Sequence, residues 1–204
     1  MTDEDLLPHI SNPDYEGSAI LRATLTGDLD RVMEIIESAR EFIRTQHIDQ
    51  WLDGYPSEAD IVHDIENGWS YVLENADKEI VGTEAVSFDG EPLYDKVYDG
   101  AWEYEGPFAV VHRLANDPKL HGQGFSGLLF AGAEALAIAR HVRIMRVDTH
   151  PGNIPMRRAL RKAGYKRIGK IRLEKGVEAG QERIAFEKYI AGGEDEDKPT
   201  ETAQ

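Results

Sequence analysis

Residues 114–127 read LANDPKLHGQGFSG, and this stretch decides how the rest of the sequence is interpreted. It precedes LLFAGAEALAIAR at 128–140, an apolar run that predicts a helix. Gly122, Gly124 and Gly127 have the G-x-G-x-x-G spacing of a dinucleotide-binding loop. The pattern predicts a loop that holds a phosphate and leaves open which cofactor carries it.

The surroundings of the loop argue against NAD. Asp148 stands about where the fingerprint has an acidic residue. A dinucleotide loop, however, leaves its strand directly into the first glycine. Here DPKLH at 117–121 separates the strand from Gly122, and Pro118 blocks continuation of the strand. Too few residues follow for the remaining parallel units, so an NAD enzyme is only a distant alternative.

Composition limits the class of protein. The 204 residues suffice for one domain, and the lack of cysteine excludes disulfides, thiolate metal sites and a thiol nucleophile. No apolar run approaches the roughly 18 residues of a membrane span. The first ten residues lack the pattern of a signal peptide. We therefore expect a cytoplasmic protein with no membrane partner and no bound metal.

The net charge of −15 is distributed unevenly. Residues 1–115 carry 7 Lys/Arg against 26 Asp/Glu (−19), and residues 116–190 carry 15 against 7 (+8). The last 14 residues carry 1 against 5 (−4). The basic part favours a phosphate-rich ligand and the acidic part a cationic second substrate, although two ordinary solvated surfaces would give the same balance. Because the basic positions lack interleaved aromatic residues, we expect no nucleic-acid partner.

Hydrophobic periodicity predicts one α/β (α+β) domain over residues 18–190, with a flexible acidic tail at 1–17 and a disordered acidic tail at 191–204. The predicted order is β-α-α-β-β-β-α-β-α-β-β. The predicted helices are 27–46, 56–68, one ending near Arg140, and 154–164; the predicted strands are 19–24, 69–75, 79–88, 108–116, 143–150, 165–173 and 183–190. The aromatic segment 89–107 is interpreted as a binding segment rather than core.

The glycine loop and the strand before it suit a different cofactor. Gly122 and Gly124 allow backbone N–H groups to approach an anion at the start of a helix. The strand HRLANDP at 112–118 is interrupted by Asn, Asp and Pro, so it cannot pair fully with a neighbouring strand. Its free backbone groups could bind an extended amide ligand as an added strand. Coenzyme A combines such an amide arm with a pyrophosphate.

Two motifs resemble those of the GCN5-related N-acetyltransferase (GNAT) family, over roughly residues 19–190. LANDPKLHGQGFS at 114–126 resembles the family's LaVdPxxRGxGIG, and DTHPGNIPMRRALRKAGY at 148–165 resembles N-x-x-(A/M)-x-x-L-(Y)-x-x-x-G-(F/Y). The sequence is also similar to a group of small, uncharacterised bacterial members. The resemblance implies a single mixed, mostly antiparallel sheet flanked by helices, with acetyl-CoA as cosubstrate. The cofactor-binding residues that it implies are Leu114, Ala115, Asn116, His121, Gly122, Gln123, Gly124, Phe125, Ser126, Gly127, Asn153 and Met156.

Some positions depart from the family pattern or have a second interpretation. His121 stands where Arg or Gln is usual and Ser126 where Gly or Ala is usual, and both still permit an anion-binding loop. Leu160 occupies the position of the tyrosine that protonates the leaving thiolate in many members. A thiol has an unperturbed pKa of about 8.5, so its thiolate leaves unaided or takes a proton from water. Asn153 is equally suited to be the N-cap of the following helix.

Because the chain has no cysteine, a covalent acetyl-cysteine route is excluded. Direct attack of an amine on the thioester remains, and this attack requires a base. His112 is the first candidate, because strand alternation places Phe108, Val110, His112 and Leu114 on one face. The alternative is that His112 has only a structural role and forms its hydrogen bonds within the sheet. Glu84, inside an apolar strand, is the second candidate; edge exposure or a salt bridge to Arg113 or Arg146 would also explain it. Asp148 and His150 share a face. They could form a relay or a metal pair, although two ligands make a poor metal site, and the favoured interpretation is that they brace the turn that follows.

The sequence therefore predicts an acetyl-CoA-dependent N-acetyltransferase. Its acceptor would be a small or peptide-terminal amine, and the acidic first part of the chain favours a cationic one. The alternative is a catalytically idle acyl-CoA-binding sensor or partner-binding protein of the same fold. By analogy with similar proteins, a homodimer is possible.

Overall fold

The computed structural model describes residues 9–10, 18–120, 122–176 and 178–191, which form one mixed sheet covered by helices. The strands are β1 (His9–Ile10), β2 (Ala19–Ala23), β3 (Ser70–Asn75), β4 (Ile80–Ser87), β5 (Phe108–Asn116), β6 (Ile144–Thr149), β7 (Lys166–Arg172) and β8 (Glu182–Tyr189). The helices are α1 (Leu29–Thr45), α2 (Glu58–Glu66), α3 (Phe125–Ala139) and α4 (Ile154–Lys162). From β2 onward, this order confirms the predicted one.

The strands lie in the order β1-β2-β3-β4-β5-β6-β8-β7. Neighbours are antiparallel except β5 and β6, which run parallel, so the mixed and mostly antiparallel sheet is confirmed. Within the predicted N-terminal tail, β1 pairs with β2. The other residues of the two predicted tails, 1–17 and 191–204, lie outside the described part of the chain, apart from 191.

Local sequence explains where the helices begin and which face they bury. The predicted capping box at the start of α2 is present: Ser57 Oγ accepts a hydrogen bond from Asp60 N–H, and Asp60 Oδ2 accepts one from Ser57 N–H at 2.7 Å. In α1, residues at helical spacing form the buried stripe: Val32, Ile35, Ile36 and Ile43. These apolar side chains pack α1 against Val72 and Ala115 of the sheet.

The two faces of the sheet carry different layers. The face covered by α3 and α4 holds the largest core cluster, which includes Tyr71, Val111, Leu128, Leu129 and Phe186. The opposite face packs against α1 and α2 over β3 to β5. Beside those helices, the segment 89–107 between β4 and β5 packs on that face over part of β5, β7 and β8. Ligands that pass between strands β5 and β6 would therefore reach both layers.

The segment 89–107 only partly fits its predicted role. The prediction that it is a binding segment rather than core is wrong for Tyr94, which is 2% exposed and packs against Val110, Ile171 and Ala185. The backbone of Tyr98 also bridges to Lys170 of β7. A burial pattern was not visible in the sequence because the segment is too irregular for either periodicity.

Strands β5 and β6 separate along their length. They pair only over Phe108–Val110 and Ile144–Arg146, at one end of β5. On its other side, β5 stays paired with β4 as far as Asn116, through a bulge opposite Glu84. The β6-facing edge of residues 111–116 therefore has no partner strand in the described structure. This is the incomplete pairing that the sequence predicts, but the separation lies beside β6 only.

The bulge changes which side chains of β5 share a face of the sheet. Arg113 has φ +53°, and the pairing register between β4 and β5 shifts by one residue at this point. Val110 lies in the cluster beneath Tyr94, whereas Leu114 joins Val111 in the cluster under α3. The prediction that Leu114 shares a face with Val110 is therefore wrong, because the extra residue reverses the alternation.

Candidate functional site

A cleft of about 1420 Å³ opens where β5 and β6 separate. It runs from the first turn of α3 and the side of α4, through the gap in the sheet, to the loops beside α1 and α2. Most of the predicted cofactor-binding residues line it: Leu114, Ala115, Asn116, Gly122, Gly124, Phe125, Ser126, Gly127, Asn153 and Met156. Gln123 is not among the lining residues, and His121 lies outside the described residues.

The glycine loop enters α3 through two left-handed residues. Gly122 has φ +84°, and Gly124, the N-cap of α3, has φ +83°. A residue with a Cβ would be strained in this conformation. Ser126 Oγ donates to Asn116 Oδ1 at 2.9 Å and joins the loop to the end of β5. The loop therefore places the N-terminus of a 15-residue helix, which attracts anions, at the end of the open strand edge.

Asn153 has a structural role and also faces the cleft. Its Oδ1 accepts from the backbone N–H of Met156 at 3.1 Å, the predicted N-cap bond of α4. Its Nδ2 donates to Gln50 Oε1 at 3.0 Å and joins α4 to the loop after α1. Further along α4, Leu160 is 0% exposed within the core under α3. The position of the family tyrosine thus offers no hydroxyl to the cleft.

His112 lies in the cleft and has a carboxylate partner. Its Nε2 is 3.2 Å from Glu91 Oε2, and both residues line the cleft. The hydrogen bond from His112 holds the pKa of Glu91 below its ordinary value. Glu91 itself is fixed by accepting from Leu93 N–H at 3.1 Å. The sequence pointed to His112 but not to Glu91, since one glutamate in an acidic loop gives no signal of its partner.

Glu84 is not in the cleft. Its side chain, 1% exposed, lies on the α3 side of the sheet, and neither carboxyl oxygen has a hydrogen-bond partner in the described structure. Burial, and then the nearby Glu134, raise the pKa of Glu84 well above 4.5. The two structural alternatives, edge exposure and a salt bridge, are also wrong: Glu84 is buried, and within the described structure Arg113 pairs with Asp64 and Arg146 with Glu187. The placement of Glu84 therefore argues against a role as base.

The two candidates at the end of β6 have different partners. Asp148 faces the cleft, and its Oδ2 accepts from the Tyr94 hydroxyl at 2.9 Å. Burial raises the pKa of Asp148. His150 Nδ1 accepts from Gly152 N–H at 3.0 Å, which braces the turn into α4 as the sequence indicated. No cluster of three or more His, Asp or Glu side chains suited to a metal occurs among the residues that the structure describes.

Two ion pairs that the sequence did not reveal border the end of the cleft beside α1 and α2. Arg113 donates to both carboxylate oxygens of Asp64 in α2, at 2.9 and 2.7 Å. Arg183 of β8 donates to Glu178 at 2.8 Å, and Glu178 also accepts from the backbone N–H of Trp51. Arg113 and Asp64 are 49 positions apart, and Trp51 and Glu178 are 127 apart, so no local pattern could have indicated these two contacts.

Comparison with known proteins agrees with this geometry. Residues 35–165 match the profile of the acetyltransferase (GNAT) family. A GNAT-family acetyltransferase structure from Streptococcus agalactiae 2603 has 30% identity and a TM-score of 0.76, over 87% of this chain and 99% of that one. A search of the curated proteins gives no significant match. The chain belongs to the GNAT family, as its two motifs indicated.

More distant structures share the fold. A GNAT-family acetyltransferase from Listeria monocytogenes 4b F2365 has 17% identity and a TM-score of 0.66, over 90% of this chain and 100% of that one. Mycobacterium smegmatis RimJ, solved in complex with CoA-disulfide, has 16% identity and a TM-score of 0.62, over 90% of this chain and 86% of that one. Separately, none of the helices in the described ranges is long and apolar enough to cross a membrane.

Proposed function

We propose that this protein is an acetyl-CoA-dependent N-acetyltransferase that transfers the acetyl group directly to an amine within a ternary complex. One observation carries the proposal: the open edge of β5, the glycine loop and His112 line a single continuous cleft. The acceptor is a small molecule or a peptide terminus with cationic character. The cytoplasm remains the proposed location and a homodimer the proposed assembly.

The cofactor end of the cleft suits coenzyme A. The unpaired edge of residues 111–116 offers backbone groups to the amides of the pantetheine arm. The glycine loop and the N-terminus of α3 suit the pyrophosphate, and Lys162 of α4 lines the same end of the cleft. RimJ, which has this fold, binds CoA-disulfide, and this supports the assignment without transferring its residues.

His112 is the proposed base. The amine nitrogen attacks the thioester carbonyl carbon and forms the C–N bond, while His112 accepts the proton that nitrogen loses. Glu91 orients the imidazole and stabilises its protonated form through the 3.2 Å contact. The backbone N–H of Leu114 or Asn116 is the proposed donor to the oxyanion. The C–S bond then breaks, and the thiolate leaves directly or takes a proton from water, since Leu160 supplies none.

An idle acyl-CoA-binding protein is the second candidate, and the buried Leu160 favours it. The two candidates differ in turnover. Purified protein is mixed with acetyl-CoA and a panel of primary amines, and release of free thiol is followed together with calorimetric binding of CoA. Acetyl-CoA binding with thiol release that depends on the amine supports the enzyme. Binding with no turnover on any amine supports the sensor, and no binding of CoA thioesters refutes both.

A further inference from the structure

Carboxylates surround the acceptor end of the cleft, and two of them already have a nitrogen partner from this chain. Glu91 is paired with His112, and Glu178 with Arg183 at 2.8 Å. Asp148 lines the same end of the cleft, and its side chain is partly accessible from it. The group that hydrogen-bonds to Asp148 therefore decides whether this part of the site has an uncompensated negative charge.

The partner of Asp148 is a neutral group. Tyr94, buried beneath the loop, donates its hydroxyl to Oδ2 at 2.9 Å, and no salt bridge to Asp148 occurs within the described structure. The remaining carboxylate that lines the cleft, Asp89, lies at its exposed rim and accepts from the Trp69 indole. Asp148 is thus the deep carboxylate that a ligand would have to neutralise, because a buried charge without a cationic partner is costly.

The position of Asp148 relative to His112 follows from the strand register. The last parallel pair between β5 and β6 is Val110 with Arg146. His112 and Asp148 each lie two residues further along, so their side chains share a face and flank the separation from opposite strands. Arg146, on the same face as Asp148, is engaged by Glu187 at 3.0 Å. An acceptor whose amine meets His112 would reach Asp148 with a group a few bonds away.

We propose that Asp148 binds a second cationic group of the acceptor, so that the protein acts on amines that carry a further ammonium or guanidinium group. The inference rests on the proposed function, because it assigns the acceptor end of the same cleft. Burial raises the pKa of Asp148, and a bound cation would favour its ionised form. A lone alkylamine would leave this carboxylate with only the neutral Tyr94 hydroxyl as its hydrogen-bond partner.

A pair of matched probes tests the proposal: 1,4-diaminobutane, and 1-aminobutane, which lacks the second charge. Binding to the full chain is measured by calorimetry, with and without CoA. We expect the wild type to prefer the diamine by about tenfold or more, the size of one charge-assisted hydrogen bond. Asp148→Asn should abolish the preference. Asp95→Asn, which removes an exposed carboxylate outside the cleft, should keep it.

The outcomes separate this inference from the proposed function. Equal binding of the two probes to the wild type overturns it, whatever the turnover, and so does a preference that survives in a folded Asp148→Asn variant. If the Asp148→Asn variant does not fold, binding of the two probes to the wild type and to Tyr94→Phe still decides. Tyr94→Phe keeps the carboxylate and should keep the preference for the diamine. A diamine preference that depends on Asp148, without thiol release on any amine of the panel, supports cation binding at Asp148 and contradicts the proposed transfer reaction.

Discussion

At the scale of single residues, the contact between His112 and Glu91 leads to a kinetic prediction. Replacing His112 with Gln removes the proposed base and keeps a side chain of similar size. We expect kcat near neutral pH to fall roughly 100-fold or more, the usual contribution of a general base, while the affinity for acetyl-CoA changes little. The limb of the pH–rate profile that belongs to the base should disappear. Steady-state kinetics across pH and calorimetry with acetyl-CoA measure both quantities.

Two further variants complete this experiment: one is a control, and the other should have a smaller effect than the loss of His112. His141→Gln changes an exposed histidine after α3 and should leave the kinetics unaltered. Glu91→Gln should reduce kcat less than the loss of His112, because it removes only the group that orients the imidazole. A pH–rate profile that is the same in the His112 variant and the wild type would remove His112 from the mechanism.

Glu84 leads to a prediction about stability. Because its folded pKa is raised above 4.5, the folded protein keeps a proton that the unfolded chain releases as pH rises. The side chain therefore costs stability increasingly above pH 4.5, until the folded pKa is passed. Glu84→Gln mimics the protonated form and does not titrate. The melting temperature of the variant relative to the wild type should therefore increase from pH 4.5 towards pH 8.

The matched control for this measurement is Glu66→Gln, on the exposed face of α2, whose difference from the wild type should stay small throughout. A difference between the Glu84 variant and the wild type that is constant with pH would mean that Glu84 is ionised in the folded protein. A cation would then have to neutralise the carboxylate, or ordered water would have to hydrogen-bond to it.

At the scale of elements, the turn between β5 and α3 is where backbone conformation and ligand binding meet. Gly122 has φ +84° with open space around its Cα, so alanine there would clash with nothing and would still be strained, by about 1 kcal/mol. We expect Gly122→Ala to weaken acetyl-CoA binding several-fold. Binding of S-acetylpantetheine, which lacks the pyrophosphate, should change little. Calorimetry with the two ligands measures the difference.

Gly27→Ala is the matched control, since Gly27 also has open space around it but no left-handed backbone. It should leave both affinities unchanged. If Gly122→Ala weakened the binding of acetyl-CoA and of S-acetylpantetheine equally, we would infer that the turn positions the strand edge rather than the pyrophosphate.

At the scale of the whole molecule, the sequence predicted what depends on local pattern and missed what depends on distant contacts. The element order followed from periodicity, and the cleft from the two motifs. The bulge at Arg113 was not predictable, because Arg has no preference for φ +53° and only pairing with β4 imposes it. The pairing of Asp64 with Arg113 and the contact of Glu178 with Trp51 join residues 49 and 127 positions apart. The placement of Glu84 away from the cleft was not predictable, because the sequence of a strand does not reveal which layer covers each face.

The division of charge along the chain leads to the last prediction, which concerns cofactor binding. The segment 116–190, with its excess of 8 positive charges, supplies the glycine loop and α4, so long-range attraction should contribute to acetyl-CoA binding. Raising the ionic strength from about 0.01 M to about 0.15 M shortens the Debye length from about 30 to about 8 Å. The dissociation constant for acetyl-CoA should therefore rise with salt, while that for S-acetylpantetheine stays nearly constant.

Single charges locate the source of this dependence. Lys162→Gln, in α4 at the edge of the cleft, should reduce the salt dependence, whereas Arg172→Gln, exposed on the edge strand β7 and outside the cleft, should not. A dissociation constant for acetyl-CoA that is independent of salt would contradict the prediction. The positive segment would then be an ordinary solvated surface, and cofactor affinity would come from short-range contacts with the strand edge and the glycine loop alone.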